Sequence, residues 1–191
     1  YGVVEKCMSV AEVDRLAGDA ARITHKHPLG FIPAALMAHV IYRLALDEQP
    51  SREGLKQYIR EGMSMMKKLY PQYPDDLRSF EDLIERAIMR SYIKDPDVHN
   101  IELLGGGWVG DEALAIALYC ALKHFDDFEE AMIAAVNHAG DSDSTGAVTG
   151  NILGAAIGYE AIPQFFKDDL EMHDLILHMA DDLYRGEVTK M

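Results

Sequence analysis

The sequence has few cysteines, no signal-peptide pattern and no segment that indicates a β-strand. Its two cysteines, Cys7 and Cys120, lie far apart and show no metal-ligand spacing with each other or with a histidine pair. Thiols used this sparsely are usually buried and reduced, as in a reducing compartment. A basic region followed by an apolar one does not open the chain, and we expect no apolar run long enough to span a bilayer. These absences predict a cytoplasmic protein.

Basic residues are also scarce relative to acidic ones. The chain carries 18 Lys and Arg against 32 Asp and Glu, for a net charge of −14. Binding to nucleic acid without sequence preference needs a basic face, and so does docking on anionic membranes. The charge balance argues against both kinds of partner. Carboxylates gathered in one pocket can instead hold divalent cations.

Apolar residues recur with the helical period along most of the chain, and alternation over four or more residues is absent. Ser9 and Glu12 form a predicted capping box before the first helix. Segment 31–47 is apolar on nearly all sides, which predicts a central buried helix. The 191 residues are therefore predicted to form one domain, 1–191, with an all-α fold: a compact bundle of about eight helices. Later helices are predicted to start near Ser51, Asp75, Asp111, Asp126 and Asp168, and just after the acidic stretch described next.

Residues 140–158, GDSDSTGAVTGNILGAAIG, join two acids to glycines at every fourth position. One interpretation is an ordinary junction between helices, in which Gly140 takes a positive φ and Asp143 or Ser144 caps the next helix. The flanking helices are very apolar, however, so the junction is expected to lie near the core. Several carboxylates are costly there unless they are paired or bound to a metal. Oxygen ligands of this kind suit Mg²⁺ or Mn²⁺.

The DxDxT pattern also occurs in haloacid-dehalogenase phosphatases, where it ends a β-strand. Here the preceding residues, EEAMIAAVNHAG, indicate a helix, which disfavours that function.

The glycines form a smooth stripe on one helix face, and we expect a neighbouring backbone to approach it closely. The members of the stripe are Gly146, Gly150, Gly154 and Gly158.

Four segments in chain order resemble the ADP-ribosylglycohydrolase family, which includes the dinitrogenase-reductase-activating glycohydrolases. ITHKHPLGF is similar to the family's Thr-His motif before its long central helix. GGGWVGDEALAIALY is similar to its glycine-rich aromatic loop and the following helix. FEEAMIAAVNHAG then leads into the 140–158 stretch, which resembles the family's C-terminal signature. Together the segments cover nearly the whole chain, and the last one is specific.

The resemblance implies an all-α fold around a binuclear Mg²⁺ site, with Mn²⁺ as an alternative. The implied metal ligands are Asp141, Asp143 and Ser144, with Asp143 bridging the metals. His25 of the Thr-His motif is implied to lie near ADP-ribose, and Trp108 to stack on the adenine. Without the family, His25 would be interpreted as a structural histidine before a Pro-Gly loop. We interpret Asp111 and Glu112 as caps of the next helix, and His27, His99 and His138 as structural.

The sequence also departs from the family. The family's other metal ligands, a Thr-Asp-Asp-Thr motif, lie in an N-terminal segment, together with a Gly-Asp motif and a Gly-Asn-Gly loop. None of these N-terminal motifs occurs in this sequence. The Asp75-Asp76 pair lacks flanking threonines, and the sequence starts at Tyr1 rather than Met. We therefore expect the chain to correspond to the C-terminal part of the family, lacking the N-terminal portion.

The implied activity is Mg²⁺-dependent hydrolysis of the bond between ADP-ribose and an acceptor, on an ADP-ribosylated protein or a small-molecule conjugate. We expect this activity from the intact protein and not from this chain alone. An alternative from a different class is a non-catalytic ADP-ribose-binding or structural member of the same fold. In either case the expected partners include the missing N-terminal segment or a second copy in a homodimer.

Overall fold

The structure is a computed structural model that describes residues 8–189, so Cys7 lies outside the described residues. The predicted all-α fold is confirmed: residues 8–189 form helices, turns and loops without a strand. The described helices are α1 (Val10–Arg22), α2 (Pro28–Ala45), α3 (Arg52–Leu69), α4 (Pro74–Arg90), α5 (Asp97–Glu102), α6 (Gly110–Lys123), α7 (Phe128–Val136), α8 (Ser142–Ile157), a 3-10 turn (Tyr159–Ala161), α9 (Phe165–Asp168) and α10 (His173–Arg185).

Two apolar helices, α2 and α6, form the centre of the bundle. Helix α2 packs against α1, α3, α4, α6 and α8, and α6 packs against α2, α4, α7 and α8. Every residue from 114 to 122 on α6 is at most 3% exposed, including the Cys120 thiol. A helix that is apolar on all sides is stable only when neighbours cover every side, which explains why these two lie innermost.

Helix α2 qualifies the expectation about membrane spans. Its 18 residues have a mean hydropathy of 1.3, which by length and composition alone is enough to cross a membrane. Its contacts with five other helices account for the same composition. The Nδ1 atom of His39 on α2 lies 2.9 Å from Oδ2 of Asp14 on α1, and both side chains are buried. This buried polar pair, together with the apolar stripe of α1, fixes α1 against α2.

Two short helices were missed by the sequence prediction. Helix α5 has six residues and α9 has four, too few to show a helical period. Asp97 anchors α5 to α6, because it accepts hydrogen bonds from the Tyr119 hydroxyl at 2.5 Å and from Lys123 at 3.0 Å. These contacts turn the predicted loop after residue 94 into a packed segment.

Two predicted helix caps are confirmed, and two predicted helix starts are displaced. Ser9 forms the predicted capping box with Glu12, and the Ser51 side chain caps α3. Helix α7 is capped by Asp127 rather than Asp126, since the Asp127 side chain accepts from the Glu130 amide. The last predicted helix does not start near 168: α9 ends there, and α10 begins at His173.

The glycine stripe on α8 meets side chains rather than the backbone of a neighbour. A Cβ at Gly146 would lie 2.7 Å from Val136 Cγ1, and one at Gly150 would lie 3.7 Å from Met132 Sδ. Both partners belong to α7, whose side chains fill the space that we had assigned to a backbone. Gly158 is not part of the helix; it ends α8 with a φ of +76°. The predicted close backbone approach was therefore wrong, although the stripe does receive a packed helix.

A hydrogen-bonded chain fixes the acidic turn to the end of α7. The Gly140 amide donates to His138 Nδ1 at 3.1 Å, and His138 Nε2 lies 2.8 Å from Thr145 Oγ1. Thr145 in turn donates to the Ala135 carbonyl at 2.7 Å. Because Nδ1 accepts, the ring carries its proton on Nε2, which donates to the Thr145 hydroxyl. His138 therefore has the structural role that we expected.

We predict that Thr145→Val destabilises the chain by about 1–3 kcal/mol, because it leaves a buried carbonyl and an imidazole N–H without a partner. Thr149→Val is the matched control. Thr149 is equally buried on the same helix but donates only to the Thr145 carbonyl. We expect it to cost less than about 1 kcal/mol, because helix carbonyls with such a second bond keep their own amide partner. Urea unfolding measures the free energy of unfolding of both variants. Equal losses of stability would contradict the hydrogen-bonded series from Gly140 through His138 and Thr145 to Ala135.

The stripe yields a second prediction. Gly150→Ala should stabilise α8 by up to about 1 kcal/mol, since its Cβ meets only ordinary contacts and alanine is the better helix former. Gly150→Leu should instead impair folding, because its larger side chain must displace Met132. Thermal unfolding compares them, with Gly158→Ala as the variant expected to lose stability through its positive φ. A loss of stability in Gly150→Ala would show that the stripe is tighter than described.

Candidate functional site

A groove of about 360 Å³ lies where the loop before α2 meets the loop before α6. The first loop supplies His25, and the second supplies Trp108, so the structure brings these two candidate substrate-binding residues together. Pockets of this size fall in the range of small-molecule sites. The other residues that line the groove are Lys26, His27, Leu29, Gly30, Val109 and Gly110.

The two histidines of the first loop differ in their environment. His27 caps α2, because its Nδ1 accepts from the Leu29 amide at 3.2 Å. His25 is exposed, and its Nδ1 lies 2.8 Å from Thr24 Oγ1. The threonine thus orients the His25 ring and leaves Nε2 without an assigned partner among the described contacts. His27 has the expected structural role, and His25 has a nitrogen available to a ligand.

Trp108 stands at the end of the glycine loop 105–107. Its side chain is 71% exposed, which is unusual for the largest apolar side chain. A Cβ at Gly106 would lie 2.7 Å from Trp108 Cδ1, so the ring rests against the loop backbone. An exposed ring held on one side by the backbone offers its other surface to a planar partner.

The candidate metal ligands occupy the start of α8. Asp141 is its N-cap, and Asp143 and Ser144 lie in its first turn. Asp143 is exposed, while Asp141 and Ser144 are half-buried, so the expectation of carboxylates near the core was wrong. The turn faces outward because Thr145, not the acids, points into the bundle. Ordinary N-caps bond their own helix, but Asp141 makes no such side-chain bond.

The two carboxyl groups of this turn are close together. The pKa of Asp143 is lowered, first by the Asp141 carboxyl within hydrogen-bond reach and then by the backbone N–H groups of Asp143 and Ser144. Within residues 8–189, no third His, Cys, Asp or Glu joins them in a cluster able to hold a metal ion. The described part of the chain therefore supplies two carboxylates and a neighbouring hydroxyl.

The glycine loop touches the acidic turn directly. The Asp141 amide donates to the Gly106 carbonyl at 2.8 Å. A Cβ at Gly140 would lie only 1.9 Å from that same carbonyl oxygen. Gly140 is therefore required for this close approach and not for a positive φ, which it does not have. The groove and the acids are thus neighbours on one surface.

Asp111 and Glu112 do not cap α6, contrary to the prediction. The N-cap is Val109, and it makes no side-chain capping bond. Asp111 is buried, burial raises its pKa, and its Oδ1 has no partner among the described residues. Glu112 instead bonds the glycine loop, because its Oε2 accepts from the amides of Gly106 and Gly107 at 3.0 and 3.1 Å. The signal in the sequence was an acid shortly after three glycines, whose free amides need an acceptor.

Three helix N-termini converge around the groove. Gly110 of α6 packs against the start of α2, where its Cβ would lie 3.0 Å from the Leu29 carbonyl oxygen. Gly107 packs against Thr145 in the first turn of α8. The positive ends of α2, α6 and α8 therefore point toward one region, which favours negatively charged ligand groups. The arrangement suits a ligand with both a ring system and acidic groups.

Comparison with known proteins bears on the family of the chain. A sequence model of the ADP-ribosylglycohydrolase family matches residues 5–190. Human ADP-ribosylhydrolase ARH3 is 24% identical over 200 aligned residues, which cover 93% of this chain and 53% of the human protein. ADP-ribosylhydrolase ARH1 of Dictyostelium discoideum is 26% identical over 208 residues, covering 88% of this chain and 53% of that protein. ADP-ribosylarginine hydrolase Tri1 of Serratia proteamaculans is 36% identical over 83 residues, covering 44% and 22%.

ARH3 and ARH1 align with most of this chain, but the chain spans only about half the length of these curated relatives. No solved structure matches it significantly. The family match nevertheless extends over almost every residue and includes the groove, the glycine loop and the acidic turn. With its all-helical fold, this match shows that the chain belongs to the ADP-ribosylglycohydrolase family.

Proposed function

We propose that the intact protein hydrolyses the glycosidic bond between ADP-ribose and an acceptor, with Mg²⁺ bound partly by this chain. The acceptor is an ADP-ribosylated protein or a small-molecule conjugate. Membership of the family supports the substrate class. The observation that supports the proposal is the direct contact between the Trp108 loop and the Asp141 turn, which makes the groove and the two carboxylates neighbours.

The residues of the acidic turn fit a hard divalent cation. Asp141 and Asp143 place two carboxyl groups within reach of each other, and Ser144 follows in the same helical turn. Carboxylate and hydroxyl oxygens are the ligands that Mg²⁺ prefers. They fill only part of its octahedral shell, so the remaining ligands come from water and from a further segment of the intact protein. When bound, the metal supplies a Lewis acid that orients the ribose hydroxyls and polarises water.

The residues around the groove bind and orient the substrate. Trp108 stacks on the adenine through its exposed face, and His25 Nε2 contacts the ADP-ribose. The positive N-terminal end of α6 and the Lys26 side chain, both at the groove, favour binding of the diphosphate.

A non-catalytic function remains the second candidate. It is favoured by the absence of a cluster of three ionisable ligands within residues 8–189. In that case the groove would bind ADP-ribose without a metal, or the chain would serve a structural role. The two candidates differ in whether binding needs Mg²⁺ and whether ADP-ribose is released.

We predict that Asp143→Ala removes most of the Mg²⁺ affinity of the intact protein but leaves its fold unchanged, because the side chain is exposed and makes no bond to the core. Titration calorimetry measures the affinity, and the Mg²⁺-dependent rise in melting temperature reports it independently. The matched control is Asp75→Ala, which removes an exposed acid from the first turn of α4. Unchanged Mg²⁺ affinity in Asp143→Ala would contradict the metal site.

We further predict that the intact protein releases ADP-ribose from a modified acceptor with Mg²⁺, whereas the 191-residue chain alone does not. The reason is the incomplete ligand set within residues 8–189. Release is measured for both proteins under the same conditions, followed by calorimetry with ADP-ribose with and without Mg²⁺. Robust turnover by the chain alone would refute the missing-ligand argument, and metal-independent binding without any turnover by the intact protein would favour the non-catalytic candidate.

A further inference from the structure

The glycine loop 105–107 has no stable conformation of its own. Gly105 has a φ of +130° and Gly107 a φ of +75°, values that residues with a side chain rarely adopt. Three consecutive glycines also lose more conformational entropy on ordering than any other sequence of three residues. Yet this loop carries Trp108 and contacts the acidic turn. A separate group must therefore hold it.

Glu112 is the group in contact with the loop on its inner side. Its Oε2 accepts from the amides of both Gly106 and Gly107, at 3.0 and 3.1 Å. Hydrogen bonds to an ionised acceptor are about twice as strong as neutral ones. Glu112 also lies at the third position of α6, where the helix dipole favours a negative side chain. It is thus an acceptor on α6, one of the two central helices of the bundle.

A side chain at position 105 would displace the Glu112 carboxylate from its place beside the loop. A Cβ at Gly105 would lie 2.4 Å from Glu112 Cδ, so the carboxylate occupies the space that any side chain at 105 would need. On the opposite side of the loop, the Gly106 carbonyl accepts from the Asp141 amide. One peptide segment is therefore bonded to Glu112 through its N–H groups and to the acidic turn through its C=O.

We propose that Glu112 is a positioning residue that fixes the Trp108 loop and, through it, the Asp141 turn. It touches neither of these two residues directly but sets the distance between the groove and the carboxylates. Its removal should release both sides of the site together while leaving the bundle folded, because Glu112 is only partly buried and the α6 core begins at Leu114. The assignment of this distance to substrate binding rests on the proposed function.

The test compares Glu112→Ala and Glu112→Gln with the control Glu130→Ala. Glu130 is also the third residue of its helix, α7, but is exposed and its side chain has no described bond to a loop. Amide hydrogen exchange in the 191-residue chain reports the loop directly. We expect exchange at Gly106 and Gly107 to rise about tenfold or more in Glu112→Ala, as the loss of charged hydrogen bonds requires. Glu112→Gln should give an intermediate increase, because its amide oxygen remains an acceptor.

A second measurement uses the fact that Trp108 is the only tryptophan of the chain. The efficiency with which acrylamide quenches Trp108 fluorescence should differ between Glu112→Ala and the unmodified chain. It should be the same in Glu130→Ala as in the unmodified chain. Unchanged exchange at Gly106 and Gly107 would overturn the proposal, as would equal changes in the control. If Glu112→Ala does not fold, the same comparison is made with Glu112→Gln.

In the intact protein, Glu112→Ala should raise KM for the ADP-ribosylated substrate about tenfold and weaken Mg²⁺ binding, because both Trp108 and Asp141 lose their fixed position. Glu112→Gln should restore part of each. If the exchange result holds but the intact protein releases no ADP-ribose, the positioning role stands and the proposed hydrolysis fails. If turnover occurs but KM and Mg²⁺ affinity are unchanged in Glu112→Ala, the link between loop and site fails.

Discussion

The contact between two backbones, Gly106 and Gly140, determines how the candidate site is built. The Gly106 carbonyl accepts from the Asp141 amide at 2.8 Å, and the space beside it is too small for a Cβ at Gly140. Because of this contact, a loop that carries an aromatic ring and a turn that carries two acids form one continuous surface. The hydrogen bonds that link His138 to Thr145 hold the turn against the end of α7. Glu112 holds the loop through the amides of Gly106 and Gly107. Each support is a buried or half-buried hydrogen bond whose loss would move the surface without opening the core.

Much of the fold could be predicted from the sequence, because long helices leave a periodic pattern. The capping box at Ser9 and Glu12, the cap at Ser51 and the central position of the helix that starts at Pro28 follow from residue type and spacing alone. Helices α5 and α9 could not be predicted in this way, since one turn shows no period and α5 depends on the distant partners Tyr119 and Lys123 of Asp97. The start of α7 was misplaced by one residue because two adjacent aspartates are equally good caps by type.

The candidate site residues that belong to a recognisable motif could be predicted from the sequence. The exposure and the hydrogen-bond partners of those residues could not. The grouping of His25 with Trp108 in one groove agrees with the pairing that the family resemblance implied, although their roles stay predictions. The exposure of Asp143 was predicted wrongly, since apolar neighbours in sequence do not say which side of a turn faces the core. Glu112 was misinterpreted because a helix-start acid and a loop acceptor have the same sequence signature. Only the position of the loop amides distinguishes the two.

The last helix has a consequence for how the chain folds. Helix α10 has no buried residue, and Met179 and Leu183 on its apolar side are 55% and 67% exposed. Gly158 ends the preceding helix, and α10 makes few contacts with the bundle in the described part of the chain. Stability follows buried apolar contacts, so α10 contributes little to the cooperative unit formed by α1 through α8. We therefore expect α10 to unfold locally at a lower free energy than the bundle formed by α1 through α8.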